Sequence, residues 1–244
     1  MARQPEGPPP PPVVQRLRVR YTKRGRLRFI SHRDFARAFE RALHRSGVPI
    51  AFSAGFSPHP KVSYAGAAPT GAASEAEYLE IGLSQEREPA WVRDALDAAL
   101  PDGLDIVEVV AAEPGGPALA DRIEASTWRI ELPGVSVAEG AGALTALLAL
   151  DEAPVERSTK DGTRTVDARA AIEAAWVVEE ASCATLEVVV RHLTPAVRPD
   201  DVVTALRRAA GLSTPVAPVA TRLAQGLLDA APPQTARHLV DPLG

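Results

Sequence analysis

The chain has 244 residues, 45% of them hydrophobic but only 5% aromatic, and a net charge of −4. It can bury a core of Val, Leu, Ile and Ala, as one large domain or two small ones. No run approaches the ~20 apolar residues that cross a bilayer, and the polar, proline-rich start has no apolar stretch like a secretory signal. These features point to the cytoplasm and to no membrane association.

The charge is unevenly placed. Residues 13–61 carry 12 Lys/Arg against two acids, Asp34 and Glu40, a net of +10 that leaves the rest of the chain strongly acidic. A basic segment inside an acidic protein predicts a local anion-binding face.

Residues 1–13 form a proline-rich leader, expected to be extended. Strict alternation over 16–21 predicts a strand with Leu17, Val19 and Tyr21 inward and Arg16, Arg18 and Arg20 outward. Lys23, Arg24 and Gly25 make a turn, and Arg26–Phe29 resumes the alternation. Ser31 is an N-cap, with Asp34 three residues on resembling a capping box. The helix runs to Ser46 and stops at Gly47 with Pro49 behind it. Short strands are expected over 50–53 and 61–65, a longer one over 77–83, a helix over 89–100 and a strand over 104–111. That order is βαββαβ, the ferredoxin-like unit.

Residues 118–226 repeat the order more faintly. A strand over 127–132 precedes a helix over 136–150. Strands near 155–157 and 163–166 flank Lys160-Asp161-Gly162, a hairpin turn. The periodicity over 171–178 fits helix or strand equally. A strand over 185–191, a helix over 199–209 and a closing strand over 216–223 follow, and 227–244 reads as a loose tail. The expected fold is α+β, two tandem ferredoxin-like halves with antiparallel sheets, over 14–113 and 118–226.

Two constellations bear on function. On the first helix Phe35, Ala38, Phe39, Ala42 and Leu43 share one side, while Arg33, Arg37, Arg41 and Arg45 recur every four residues on another. Such a stripe is either a solvated face or a phosphate-binding one; solvated faces normally mix acids with bases, and arginine suits bidentate phosphate contacts. Five such contacts on a duplex would give a salt slope of roughly −4.5. Lys23 and Arg28 extend the basic set.

The second constellation is Gly55-Phe56-Ser57-Pro58-His59-Pro60-Lys61. Two prolines stiffen the loop around His59, Lys61 follows at once, and Phe56 either anchors the loop or stacks on a base. It reads as a structural turn or as a phosphate site. His32, after Ser31, reads as a packing residue or as a second acid–base group. His32, His59 and Lys61 make a candidate catalytic set only where the fold unites them. His44, His192 and His238 carry weaker signals.

Lys23, Gly25, Phe29-Ile30-Ser31-His32-Arg33-Asp34, the Gly55–Lys61 motif and Ser74-Glu75-Ala76-Glu77-Tyr78 resemble the radical-SAM-linked family, a family of uncharacterised proteins. Its patterns are close to SHLD and GFNPHPK; Arg33 replaces the usual Leu and Ser57 the usual Asn. The likeness is dense over 16–83 and thin afterwards. It implies an accessory role beside a radical SAM protein, in RNA or ribosome-related metabolism, and it implies no assigned reaction.

There is no HExxH, CxxC or GxxxxGK[ST], so no metal site, nucleotide loop or cofactor is expected. The lone Cys183 cannot supply the about four thiolates of an iron–sulfur cluster and reads as a small buried hydrophobe. The expected function is a non-catalytic module that binds RNA or another anion. Two alternatives stay open: a metal-independent endoribonuclease similar to the RAMP-type enzymes that process CRISPR repeats, and a subunit that docks on a radical SAM enzyme.

Overall fold

The computed structural model describes residues 10–159, 162–178, 183–229 and 239–243. The chain divides into two compact units, residues 1–122 with 243–244, and residues 123–242. Most of the expected leader, and residues 230–238 of the expected tail, lie outside the described residues. The fold is mixed α+β, with mostly antiparallel strands and five helices among the described residues.

The first unit runs β1 (Gln15–Lys23), α1 (His32–Ser46), β2 (Val62–Ala65), β3 (Ala73–Leu83), α2 (Pro89–Asp97) and β4 (Ile106–Ala111). Its strands lie in the order β4-β1-β3-β2, and every pair is antiparallel. The period-2 pattern of β1 turns Leu17, Val19 and Tyr21 onto one face. There they join Phe35, Phe39 and Leu43 of α1 and Val92 and Leu96 of α2 in one apolar cluster. Tyr21 stacks on Phe35, with ring centroids 4.5 Å apart. Gly47, at φ 68°, ends α1 in the left-handed region.

Two local expectations fail here. Gly25–Phe29 is a 3-10 turn, not a strand. Gly25 adopts φ 55°, which swings the chain out of the sheet, and the short alternation of Arg and Leu fits a tight turn equally well. The strand expected over 50–53 is reduced to two isolated bridges, Ile50 to Leu83 and Phe52 to Pro60.

The second unit runs β5 (Ala125–Leu132), α3 (Val137–Leu148), β6 (Pro154–Thr159), β7 (Gly162–Asp167), α4 (Ala168–Ala171), β8 (Ile172–Val177), β9 (Ala184–Arg191), α5 (Pro199–Ala210), β10 (Val219–Leu228) and β11 (Leu239–Val240). Within it the strand order is β10-β5-β9-β8, again antiparallel. β6 and β7 pair as a separate hairpin, though the expected turn at 160–162 lies partly outside the described residues. The ambiguous stretch from 171 resolves into the end of a four-residue helix followed by β8. The tail is not uniformly loose, because β11 pairs with β10. Ser136 and Glu139 form a full capping box at the start of α3.

Candidate anion-binding site

The candidate residues all fall in the first unit. Ser31 Oγ accepts a hydrogen bond from the Asp34 amide at 3.1 Å and donates to the Asp34 carboxylate at 2.6 Å. Both residues are therefore engaged in starting α1. His32 packs edge-on against Tyr64 of β2, with centroids 4.9 Å apart. Burial, and then the negative charge of Glu40, push the Tyr64 phenol up to about 12. Tyr64 in turn meets Phe35 edge-on, so His32 joins the aromatic stack while remaining exposed.

From Arg33 onward α1 segregates its faces as the spacing predicts. Phe35, Ala38, Phe39, Ala42 and Leu43 are buried, and Arg33, Arg37, Arg41 and Arg45 are exposed. Arg37 lies 3.8 Å from Asp34, both open to solvent, a pair that contributes little. Arg45 donates to the Ala99 carbonyl.

The β1 cations behave differently. Arg16 is exposed and donates to Glu80 at 3.0 Å. Arg18 is only 3% exposed, donates to the Pro117 carbonyl at 2.7 Å and lies 3.7 Å from Glu80. Arg20 is half-buried and donates to the Glu75 carbonyl. Lys23 is buried and donates to the carbonyls of Ala68 and Pro69. Alternation assigns a residue to a face but does not say whether that face is covered; Arg18 and Lys23 sit beneath chain of their own unit, away from its exposed surface.

The motif loop is fastened at its base. Phe52 bridges Pro60. The Ser53 amide donates to the His59 carbonyl at 2.9 Å, the His59 amide to Ser53 Oγ at 3.0 Å, and the Lys61 amide to the Ala51 carbonyl at 2.8 Å. The tip carries Phe56, 70% exposed. The side chains of His59 and Lys61 are exposed and make no hydrogen bond or ion pair among the described residues. They line one pocket with Arg16 and Ser53, and His32 is not among its lining residues. No hydrogen bond or ring contact joins the two histidines, so the candidate set divides into His59 with Lys61, and His32 with Tyr64.

Two features escaped the sequence reading. Phe29 is 58% exposed, with the half-buried Arg28 guanidinium 4.7 Å from its ring centroid; the exposed flank of a 3-10 turn hides this behind a strand-like pattern. In the second unit, His192 Nε2 lies 2.8 Å from the buried Ser126 hydroxyl. The residue keeps an exposed edge. Burial of the ring, and then the Arg222 guanidinium, pull its imidazole below the usual range, against a hydrogen bond to the Ile123 backbone. His238 lies outside the described residues. Among the described residues there is no group of three or more His, Cys, Asp or Glu placed to hold a metal ion, and no helix long and apolar enough to cross a membrane.

A family model described as an uncharacterized protein conserved in bacteria matches residues 16–199. No curated protein matches the chain.

Proposed function

Since the chain belongs to that family, DUF2344, whose description names no activity, we propose from its own surface that it binds single-stranded RNA through the basic first unit. The observation that carries this reading is Phe56, 70% exposed at the tip of a fastened loop, with His59 and Lys61, whose side chains have no partner among the described residues, at the base. Single-strand binders combine cations that follow the backbone with aromatic side chains on which bases stack. Phe29, beside Arg28, supplies a second exposed ring. Arg33, Arg37 and Arg41 supply attraction that any phosphate backbone satisfies.

Both units are read as ferredoxin-like, because each orders four strands as fourth, first, third, second, with a helix after the first and after the third; the second unit adds the β6–β7 hairpin and the short α4 before its second strand. The role is that of an accessory module that presents RNA; the resemblance of residues 16–83 to the radical-SAM-linked family supports a radical SAM enzyme as its companion. Ultraviolet crosslinking of the purified chain to oligouridine, followed by peptide mass spectrometry, tests the reading. Crosslinks are expected on the peptides that contain Phe56 and Phe29. Crosslinks confined to residues 123–242 contradict it.

A further inference from the structure

Arg16 stands directly opposite Gly82 in the β1–β3 register. On the other side of β3 the pairing Val62 to Ile81 continues to Lys61, whose carbonyl accepts from the Gly82 amide at 2.9 Å. Directly paired residues present their side chains on the same face. Two cations thus flank a position that has no side chain. A Cβ on Gly82 would stand 3.0 Å from a Val13 methyl carbon and 3.4 Å from the Lys61 Cβ, so the glycine lets Val13 settle over this row and form one wall of the recess. The next row on the same face is Arg18, Glu80 and Ser63. Glu80 and Ser63, though not Arg18, join Arg16, Lys61, Ser53 and His59 around a pocket of about 260 Å³ that Val13 also lines.

The charges in this pocket do not balance. Its one acid, Glu80, is already engaged by Arg16 at 3.0 Å and lies 3.7 Å from Arg18. The Lys61 ammonium and the His59 imidazole have no partner among the described residues. A surplus of donors in a small recess suits a compact, highly charged anion. A phosphomonoester carries a charge of about −1.5 to −2 at pH 7 and three acceptor oxygens, whereas a diester inside a strand carries one charge. The volume suits one phosphate with part of its sugar.

We propose that this pocket holds a terminal phosphomonoester, the 5′-phosphate end of an RNA strand. The inference rests on the RNA-binding reading and adds end recognition to it. Lys61 and His59 meet the terminal phosphate, Val13 seated over Gly82 walls the recess, and Phe56 on the same loop stacks on a base.

The test compares fluorescent oligonucleotides of one sequence with a 5′-phosphate or a 5′-hydroxyl, with adenosine monophosphate and inorganic phosphate as small probes. The full chain should prefer the phosphorylated end by about tenfold, the equivalent of one charge-assisted hydrogen bond. Lys61→Ala should bring that ratio to about one. Arg37→Ala/Arg41→Ala should weaken both RNAs and keep the ratio. Adenosine monophosphate binding as tightly as the RNA end, with the same loss in Lys61→Ala, would keep the phosphomonoester and reassign its source to a free nucleotide. Equal affinity for the two RNA ends overturns the inference and leaves the RNA reading standing. If neither RNA binds, that reading fails, and a titration with inorganic phosphate that leaves the His59 ring resonances unmoved rejects the pocket as well.

Discussion

Arg18 and Glu80 face each other across β1 and β3, and Arg18, only 3% exposed, has its charge answered inside its own unit by Glu80 and the Pro117 carbonyl. A residue that looks like part of an external basic face is therefore part of what holds the sheet. Removing one partner of a buried pair leaves the other charge uncompensated. Glu80→Ala should cost about 3 kcal/mol of stability, measured by urea unfolding, whereas Arg33→Ala should stay within about 0.5 kcal/mol of wild type. Equal effects from the two would mean that Arg18 is not held by Glu80.

Phe56 makes the complementary case. At 70% exposure it contributes little to the core, so Phe56→Ala should leave the melting temperature unchanged. Affinity for oligouridine should fall by about 1–3 kcal/mol, the range for one stacked base. A large loss of stability with unchanged affinity would show that the ring anchors the loop.

Ser31 is assigned to capping. Its hydroxyl bonds the Asp34 amide, so Ser31→Ala should destabilise the fold by about 1 kcal/mol in thermal or denaturant unfolding. Ser31→Asp should recover most of that loss. A functional role for Ser31 would instead appear as lost RNA binding that the Asp variant does not restore.

His192 supplies a pH test in the second unit. Its folded-state pKa lies below the unfolded value, so the unfolded chain binds the proton more readily. Stability from this group is present above about pH 6.5, the unfolded pKa, and is lost as pH falls below it toward the folded value. His192→Gln should flatten that part of the stability profile in unfolding experiments between pH 5 and 7.5. An unaltered profile would remove His192 as its source.

Much of the architecture was legible because period and punctuation agree. The alternation of Leu17, Val19 and Tyr21 marked β1, and Ser31 with Gly47 bracketed α1 to the residue. The α1 stripe was legible for the same reason, since a 3.6-residue period separates Arg33, Arg37, Arg41 and Arg45 from the core. Tertiary facts were not legible. Alternation could not say that Pro117 covers Arg18, nor that Ala68 and Pro69 take up Lys23. Nor could it pair Gly82 with both Arg16 and Lys61, because those contacts join segments more than 20 residues apart. The Arg26–Phe29 stretch misled because four residues of alternating Arg and apolar side chains fit a strand and a 3-10 turn alike.

The most direct test of the central claim is the salt dependence of binding between the full chain and a fluorescent single-stranded RNA, followed by anisotropy for wild type and for Arg37→Ala/Arg41→Ala. Each phosphate contact on a single strand contributes about −0.7 to the slope of log K against log salt. The double variant should bind more weakly and show a slope flatter by about 1.4. No measurable RNA binding by wild type, or an identical affinity and slope for the variant, would contradict the assignment of this face to RNA.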